Sequence, residues 1–212
     1  ALRDIKNTAV KISIETVKNL INNSIDKNKV EKLNTKSLEQ AEEALKLVPG
    51  YIMAFEHNFL YPLVLTALYK QSSKSEQNKF LIEIDSCENK MAEWAGNCPE
   101  NFKHKHLLIL AEKARLANNY SAIELYYEAI NSANDNGFIQ YAALGNELAA
   151  RFFLEMNKKE FAGIYLEKAV KLYESWGAQA KAEELAAKYP DLTGLAQHKH
   201  LPGISDQLDL NS

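Results

Sequence analysis

Glycine and proline are scarce in this chain, 8 and 5 among 212 residues. Strand-rich folds with many tight turns, collagen-like repeats and loop-rich scaffolds are therefore poor fits. Cysteine is scarcer still. Cys87 and Cys98 cannot build a disulfide framework, so a reducing compartment, the cytoplasm, is the expected location. Long apolar runs are missing as well: the longest, residues 61–69, falls far short of the roughly 20 residues a membrane-spanning helix needs. Charge of one sign is not in excess. The formal net charge of −3 gives no basic field to draw nucleic acid or anionic lipid. Arg3, Asp4 and Lys6 stand where a secretory leader would carry its apolar stretch. The chain opens on Ala1 without an initiator Met, which suggests an excised piece or a processed chain.

The motifs of the common chemistries are missing too. No G-x-x-x-x-G-K-[ST] phosphate loop and no G-x-G-x-x-G fingerprint occur. No G-x-S-x-G nucleophile elbow occurs either. Two histidine pairs exist, His104 with His106 and His198 with His200. Residues two apart on a helix point to nearly opposite sides, so His104 and His106 read as packing or surface groups, and the second pair has no ligand cluster of zinc spacing nearby. Glu83, Asp85 and Glu88 read as a solvated helix face rather than a catalytic carboxylate pair. Lys103 to His106 is the densest basic cluster, too short for a nucleic-acid footprint. No catalytic residue, cofactor or metal site, and no small-molecule substrate, is expected.

What is present is helical periodicity. Hydrophobic residues make up 46% of the chain and charged residues 25%, with the Ala, Leu, Glu and Lys usage that favours helix. Val10, Ile14, Val17 and Ile21 form a first stripe, and Leu38, Ala41, Leu45 and Val48 a second behind the capping box Ser37 with Gln40. Residues 51–70 form another helix, with a kink or break predicted at Pro62. Ser73 with Glu76 is a further capping box, followed by the stripe Phe80, Ile84, Cys87, Met91 and Trp94, which Gly96 and Pro99 end. Helical hairpins then follow, with turns at Asn118-Asn119, Asn136-Gly137 and Asn157-Lys158 and a stop at Trp176-Gly177. A short helix from Ala178 to Lys188 ends before Tyr189-Pro190. Residues 193–212 lose the pattern and read as a linker or tail.

Ala122, Tyr126 and Ala129 share a small–large–small spacing with Ala162, Leu166 and Ala169, 40 residues on. The second helix of a tetratricopeptide repeat carries such a signature, because small residues let helices approach closely. The departures are a period longer than about 34 residues, Asn134 and Glu174 where a proline is usual, and no W-x2-L-G-x2-Y opening. An ordinary helical bundle stays open as the alternative. The predicted fold is all-α, with antiparallel hairpins stacked as a tetratricopeptide-like superhelix of about 8–9 helices over residues 1–192, residues 1–50 being less clearly patterned. Arg115, Glu147 and Arg151, on first helices of the hairpins, are the candidate groove contacts for a peptide or neighbouring domain. Trp176 is expected to pack on the last short helix and seal the core.

Three stretches carry a family resemblance: W-x-x-N-C-P-E-N-F-x-H-K-H at 94–106, N-E-L-A-A-R-F-F at 146–153, and the run from Tyr165 through Trp176-Gly177-Ala178 to Tyr189-Pro190-x-Leu192. Together they resemble the helical, tetratricopeptide-like region of large bacterial multi-sensor signalling proteins. In that family a Ser/Thr-kinase-like domain and an AAA-type ATPase module precede this region, and a GAF domain and often a histidine kinase follow it. Residues 207–212 resemble the lead-in to the GAF domain. The resemblance implies a non-catalytic scaffold that links nucleotide-binding modules to a downstream sensor in a two-component system, with neighbouring domains as its partners. A free-standing peptide-binding adaptor is the alternative. An all-α enzyme would need inward carboxylates, and none is read at suitable spacing.

Overall fold

The computed structural model describes residues 52–193, with side chains from Ala54 onward, and every regular element among them is helical. Seven α-helices follow one another: α1 (Ile52–Leu68), α2 (Lys74–Asn97), α3 (Pro99–Leu116), α4 (Ala122–Asp135), α5 (Ile139–Glu155), α6 (Lys159–Ser175) and α7 (Gln179–Lys188). A short 3-10 turn, Tyr69–Gln71, joins the first two. The stripes at 10–21 and 38–48, the Ser37 box and the His198/His200 pair lie outside the described residues. The described chain divides into two compact units, 52–141 and 142–193, with the boundary inside α5.

In the first unit α1 is apolar on nearly every side, and Phe59, Leu63, Val64 and Leu65 are all buried. A helix of that composition is stable only as a core element. This explains why it runs on as one helix through Pro62, so that of the kink or break predicted there a break does not occur. The proline withholds a hydrogen bond from the Asn58 carbonyl, but its ring is itself fully buried apolar surface. Side-chain pairs give the helix directions. Tyr61 meets Glu83 and Phe55 meets Trp94, so α1 and α2 are antiparallel. Trp94 meets Phe102 and Asp85 meets Lys113, so α2 and α3 are antiparallel too. Glu56 meets Lys105 and Thr66 meets Glu112, so α1 and α3 run parallel. The Ser73–Glu76 box forms as the sequence implied, with Ser73 Oγ accepting from the Glu76 amide at 3.3 Å and the Glu76 carboxylate accepting from the Ser73 amide at 2.8 Å. Pro99 does not merely stop α2; it opens α3 as its first residue, where its missing amide costs nothing.

Four consecutive helices end in the same way. Asn118, Gly137, Asn157 and Gly177 have φ of 53°, 77°, 57° and 86°. Each time the residue after the left-handed one donates its amide to a carbonyl five residues back: Asn119 to Ala114 (2.9 Å), Phe138 to Ala133, Lys158 to Phe153 and Ala178 to Tyr173 (2.8 Å each). These are Schellman closures, and they use the two residue types that tolerate positive φ best. Asn118 to Asn157 is 39 residues and Gly137 to Gly177 is 40, matching the offset of the alanine triplets.

In the second unit Ala143 and Ala150 of α5 meet Leu166, Ala169, Val170 and Tyr173 of α6 and Ala182 and Leu185 of α7. The alanines permit close helix approach, and the larger residues fill the space between. After α7 the chain turns back, with Leu192 and Thr193 amides bonded to the Tyr189 carbonyl at 3.1 Å. It passes so near α6 that a β-carbon at Gly163 would lie 3.2 Å from the Leu192 carbonyl oxygen. Trp176 departs from expectation: it is 52% exposed. The helix phase places Tyr173, one turn earlier, on the inward face, and Tyr173, Leu185, Tyr189 and Leu192 close the unit instead.

The turn chemistry has a measurable consequence. Gly177→Ala should lower stability by about 1 kcal/mol in urea denaturation, while Asn157→Gly should leave it unchanged or slightly raised. Nothing lies within 4 Å of a β-carbon at Gly177, so the loss would report backbone strain alone.

Candidate functional site

Among the described residues, three carboxylate-centred clusters at helix contacts hold the most deeply buried charged side chains. In the first, Glu112 of α3 is 3% exposed. Its Oε2 accepts from Thr66 Oγ1 of α1 at 3.0 Å and from Arg115 Nε and Nη2 at 3.0 and 2.7 Å, while Oε1 accepts from the Tyr126 hydroxyl of α4. Arg115 Nη2 also donates to the Thr66 carbonyl at 3.2 Å. One carboxylate thus joins three helices, and its lone pairs are occupied.

The second cluster centres on Glu147 of α5, 2% exposed. Arg151, one turn on, and Lys181 of α7 pair with Oε1, the latter at 3.3 Å, and the Tyr173 hydroxyl of α6 donates to Oε2 at 2.8 Å. Burial alone would raise the Glu147 pKa. The charges of Arg151 and Lys181 and the Tyr173 hydrogen bond outweigh it and hold the carboxyl at about 2. Burial and the adjacent carboxylate push the Tyr173 hydroxyl the other way, well above its usual range.

The third cluster lies between α1, α3 and the start of α5. Lys105, 5% exposed, pairs with Glu56, and its ammonium sits 4.6 Å from the Tyr141 ring centroid, 5.7 Å from Phe59 and 5.8 Å from Phe102. The carboxylate and the ring faces together replace the water that this cation gave up. The Tyr141 hydroxyl donates to the other Glu56 oxygen at 2.6 Å, and burial and then the Glu56 charge raise its pKa. His104 is wholly buried beside this cluster, its ring 4.6 Å from Phe138 and 5.1 Å from Tyr141. Neither ring nitrogen has a hydrogen-bond partner. Burial, and secondarily Lys105, lower its pKa to about 4, so the imidazole is neutral.

Of the candidate groove contacts, Arg115 and Glu147 are interior groups engaged with neighbouring helices, and Arg151 is partly exposed beside Glu147. The helix phase turns the first two inward, so the accessible surface near them is that of their neighbours. His104 and His106 do point apart: His106 Nε2 lies 2.8 Å from Glu88 on α2. Glu83 and Glu88 are not simply solvated, since Tyr61 reaches Glu83 and Glu88 takes both His106 and Lys113. Burial would raise the Glu88 pKa, but those two partners lower it overall. Sequence reading also missed the inward carboxylate of Glu112 and the burial of Lys105. Arg115 three residues after Glu112 was the available signal, with Ala111 and Leu108 of the same helix buried beside them.

Each cluster is closed by its own partners, so none presents a free carboxylate pair for proton transfer. Among the described residues no group of three or more His, Cys, Asp or Glu side chains is placed to hold a metal, and no helix is long and apolar enough to cross a membrane. The first unit does carry an open polar groove of about 590 Å³ between the start of α3 and the end of α4, lined among others by Glu100, Lys103, Glu128 and Asp135.

No protein-family model matches the chain, and no solved structure matches it. A stretch of 53 residues is 42% identical to part of hybrid signal transduction histidine kinase G of Dictyostelium discoideum. The stretch is 25% of this chain and 2% of that kinase, so the similarity is to a small piece of a large signalling protein.

The Glu147 cluster makes a direct prediction. Glu147→Gln should cost about 3–5 kcal/mol at neutral pH, because Arg151 and Lys181 lose a buried counter-charge. In the unaltered protein the depressed Glu147 pKa contributes stability that is full above pH 4.5 and is lost as pH falls toward 2, about 3 kcal/mol in all. Urea midpoints at several pH values should show this acid limb flattened in the Gln variant.

Proposed function

We propose that this chain is a non-catalytic, tetratricopeptide-like scaffold region of a multi-domain sensor histidine kinase, working in signal transduction. The observation that carries the reading is the 53-residue similarity to a hybrid signal transduction histidine kinase. The relative comes from Dictyostelium discoideum, so the reading carries no bacterial assignment. The repeated Schellman closures, the parallel pair α1 and α3 with α2 antiparallel between them, and the alanine triplets support a stack of helix hairpins. Such a stack transmits displacement because each hairpin repeat touches only the repeats beside it. Clusters that join three helices through one carboxylate give those contacts a preferred register.

In this role the region links a nucleotide-driven module on one side to a sensor or kinase on the other, in the cytoplasm, and its partners are neighbouring domains of the same polypeptide. Contacts with them fall on the exposed Phe161 and Ile164, on the partly exposed Arg151 and on the α3–α4 groove, since Arg115 and Glu147 are occupied inside. A free-standing peptide-binding adaptor is the second reading, which the same open groove favours.

Hydrogen exchange in the complete protein tests the proposal. Adding nucleotide should change amide protection in residues 52–193 at least severalfold, with the largest changes near the three clusters. Unchanged protection throughout would rule out transmission, and a complete reading frame with no further domain would leave the adaptor reading.

A further inference from the structure

Buried histidine is ordinarily satisfied by a hydrogen bond to at least one ring nitrogen. His104 has none on either nitrogen, and no exposure to water. Its neighbours are two aromatic rings, Phe138 just before α5 and Tyr141 in its first turn, which also lie 5.9 Å from each other. The charged groups around this corner are Lys105 on α3, next to His104 in the chain, and Glu56 on α1. The Glu56 carboxylate is already taken by Lys105 and by the Tyr141 hydroxyl. A proton on His104 would therefore meet a like charge, no acceptor and no solvent. Attraction to the two ring faces offsets only part of that cost.

We propose that His104 is an acid-released latch on the start of α5: protonation drives the imidazole out from beside Phe138 and Tyr141 and frees residues 138–141 while the rest of the first unit stays folded. Local release is the cheaper route to water. Residues 138–141 sit at the sequence end of the first unit, and outside their own backbone bonds their contacts are this ring cluster with Phe59, the Lys105 ammonium over the Tyr141 ring and the Tyr141–Glu56 hydrogen bond. The neutral imidazole is a flat apolar plate; the charged one is a buried cation without a partner. The device would make the passage from the first unit into the rest of α5 sensitive to acidification.

The sign follows from the lowered pKa. The folded corner excludes the proton, so its stability is full above the ordinary histidine value of 6.5 and falls as pH drops toward 4. Amide hydrogen exchange, with rates corrected for their intrinsic pH dependence, tests this in the unaltered protein and in His104→Phe. Between pH 6.5 and 5 the protection of the Tyr141 amide, bonded to the Phe138 carbonyl at 3.0 Å, and of the Ala142 amide should fall about tenfold in the unaltered protein and stay flat in the variant, with α2 protection unchanged in both. Equal pH dependence in the two proteins would overturn the latch, as would loss of protection across the whole unit at once. Should His104→Phe fail to fold, the His104 ring resonance in the unaltered protein decides. Titration near pH 4 together with loss of protection at the Tyr141 and Ala142 amides supports the proposal, and titration near 6.5 with protection intact overturns it.

Discussion

A charged group buried between helices has to find its partners on other helices, and the described structure depends on that constraint. An unpaired carboxylate in the interior would cost several kcal/mol, more than most single contacts supply. Glu112 and Glu147 escape the cost by collecting donors from different elements, and buried Lys105 does so by pairing with the half-buried Glu56 of another helix. Apolar packing holds helices together without strongly fixing their rotation or stagger. A carboxylate with a tyrosine hydroxyl on one side and a guanidinium or ammonium on the other accepts one geometry. Alanine-rich contacts such as Ala143, Ala150 and Ala169 bring the helices close, and the charged clusters then select the register.

The same logic separates the clusters from active sites. A catalytic carboxylate is perturbed and also reachable by substrate. Glu147 is strongly perturbed, but the perturbation comes from Arg151, Lys181 and Tyr173, which also close it off. Tyr141 and Tyr173 carry raised pKa values because each donates to a carboxylate in a dry environment. These are the signatures of structural polar joints: perturbed groups whose partners also shut them off from solvent. His104 is the exception, a buried polar ring that has no joint to make.

Much of the fold was legible in the sequence, for identifiable reasons. In the stripe Phe80, Ile84, Cys87, Met91 and Trp94 the middle three are buried and the two ends half-buried, and the triplet Ala162, Leu166, Ala169 is buried, because helical periodicity reports directly which face is inward. The turns at Asn118, Gly137, Asn157 and Gly177 were visible because few residues tolerate positive φ. Pro62 does not break its helix because the surrounding core, which local backbone chemistry gives no sight of, holds it, and Trp176 misled because its aromatic identity suggested burial that its helix phase does not provide. The polar clusters were the least legible. Glu112, Lys105 and Glu147 look like ordinary surface residues in sequence, since their partners lie 14 to 49 residues away. Only Glu147–Arg151 and Glu112–Arg115 left a local trace, as spacings of four and three.

If one carboxylate sets the register of the second unit, Glu147 and Lys181 must be energetically coupled although they lie 34 residues apart on different helices. A double-mutant cycle of Glu147→Gln and Lys181→Met, read by urea denaturation at neutral pH, measures that coupling directly. A favourable interaction of about 1 kcal/mol or more is expected for contacting members of one buried network. Additivity within about 0.3 kcal/mol would contradict the central claim and leave apolar packing alone to fix the helices.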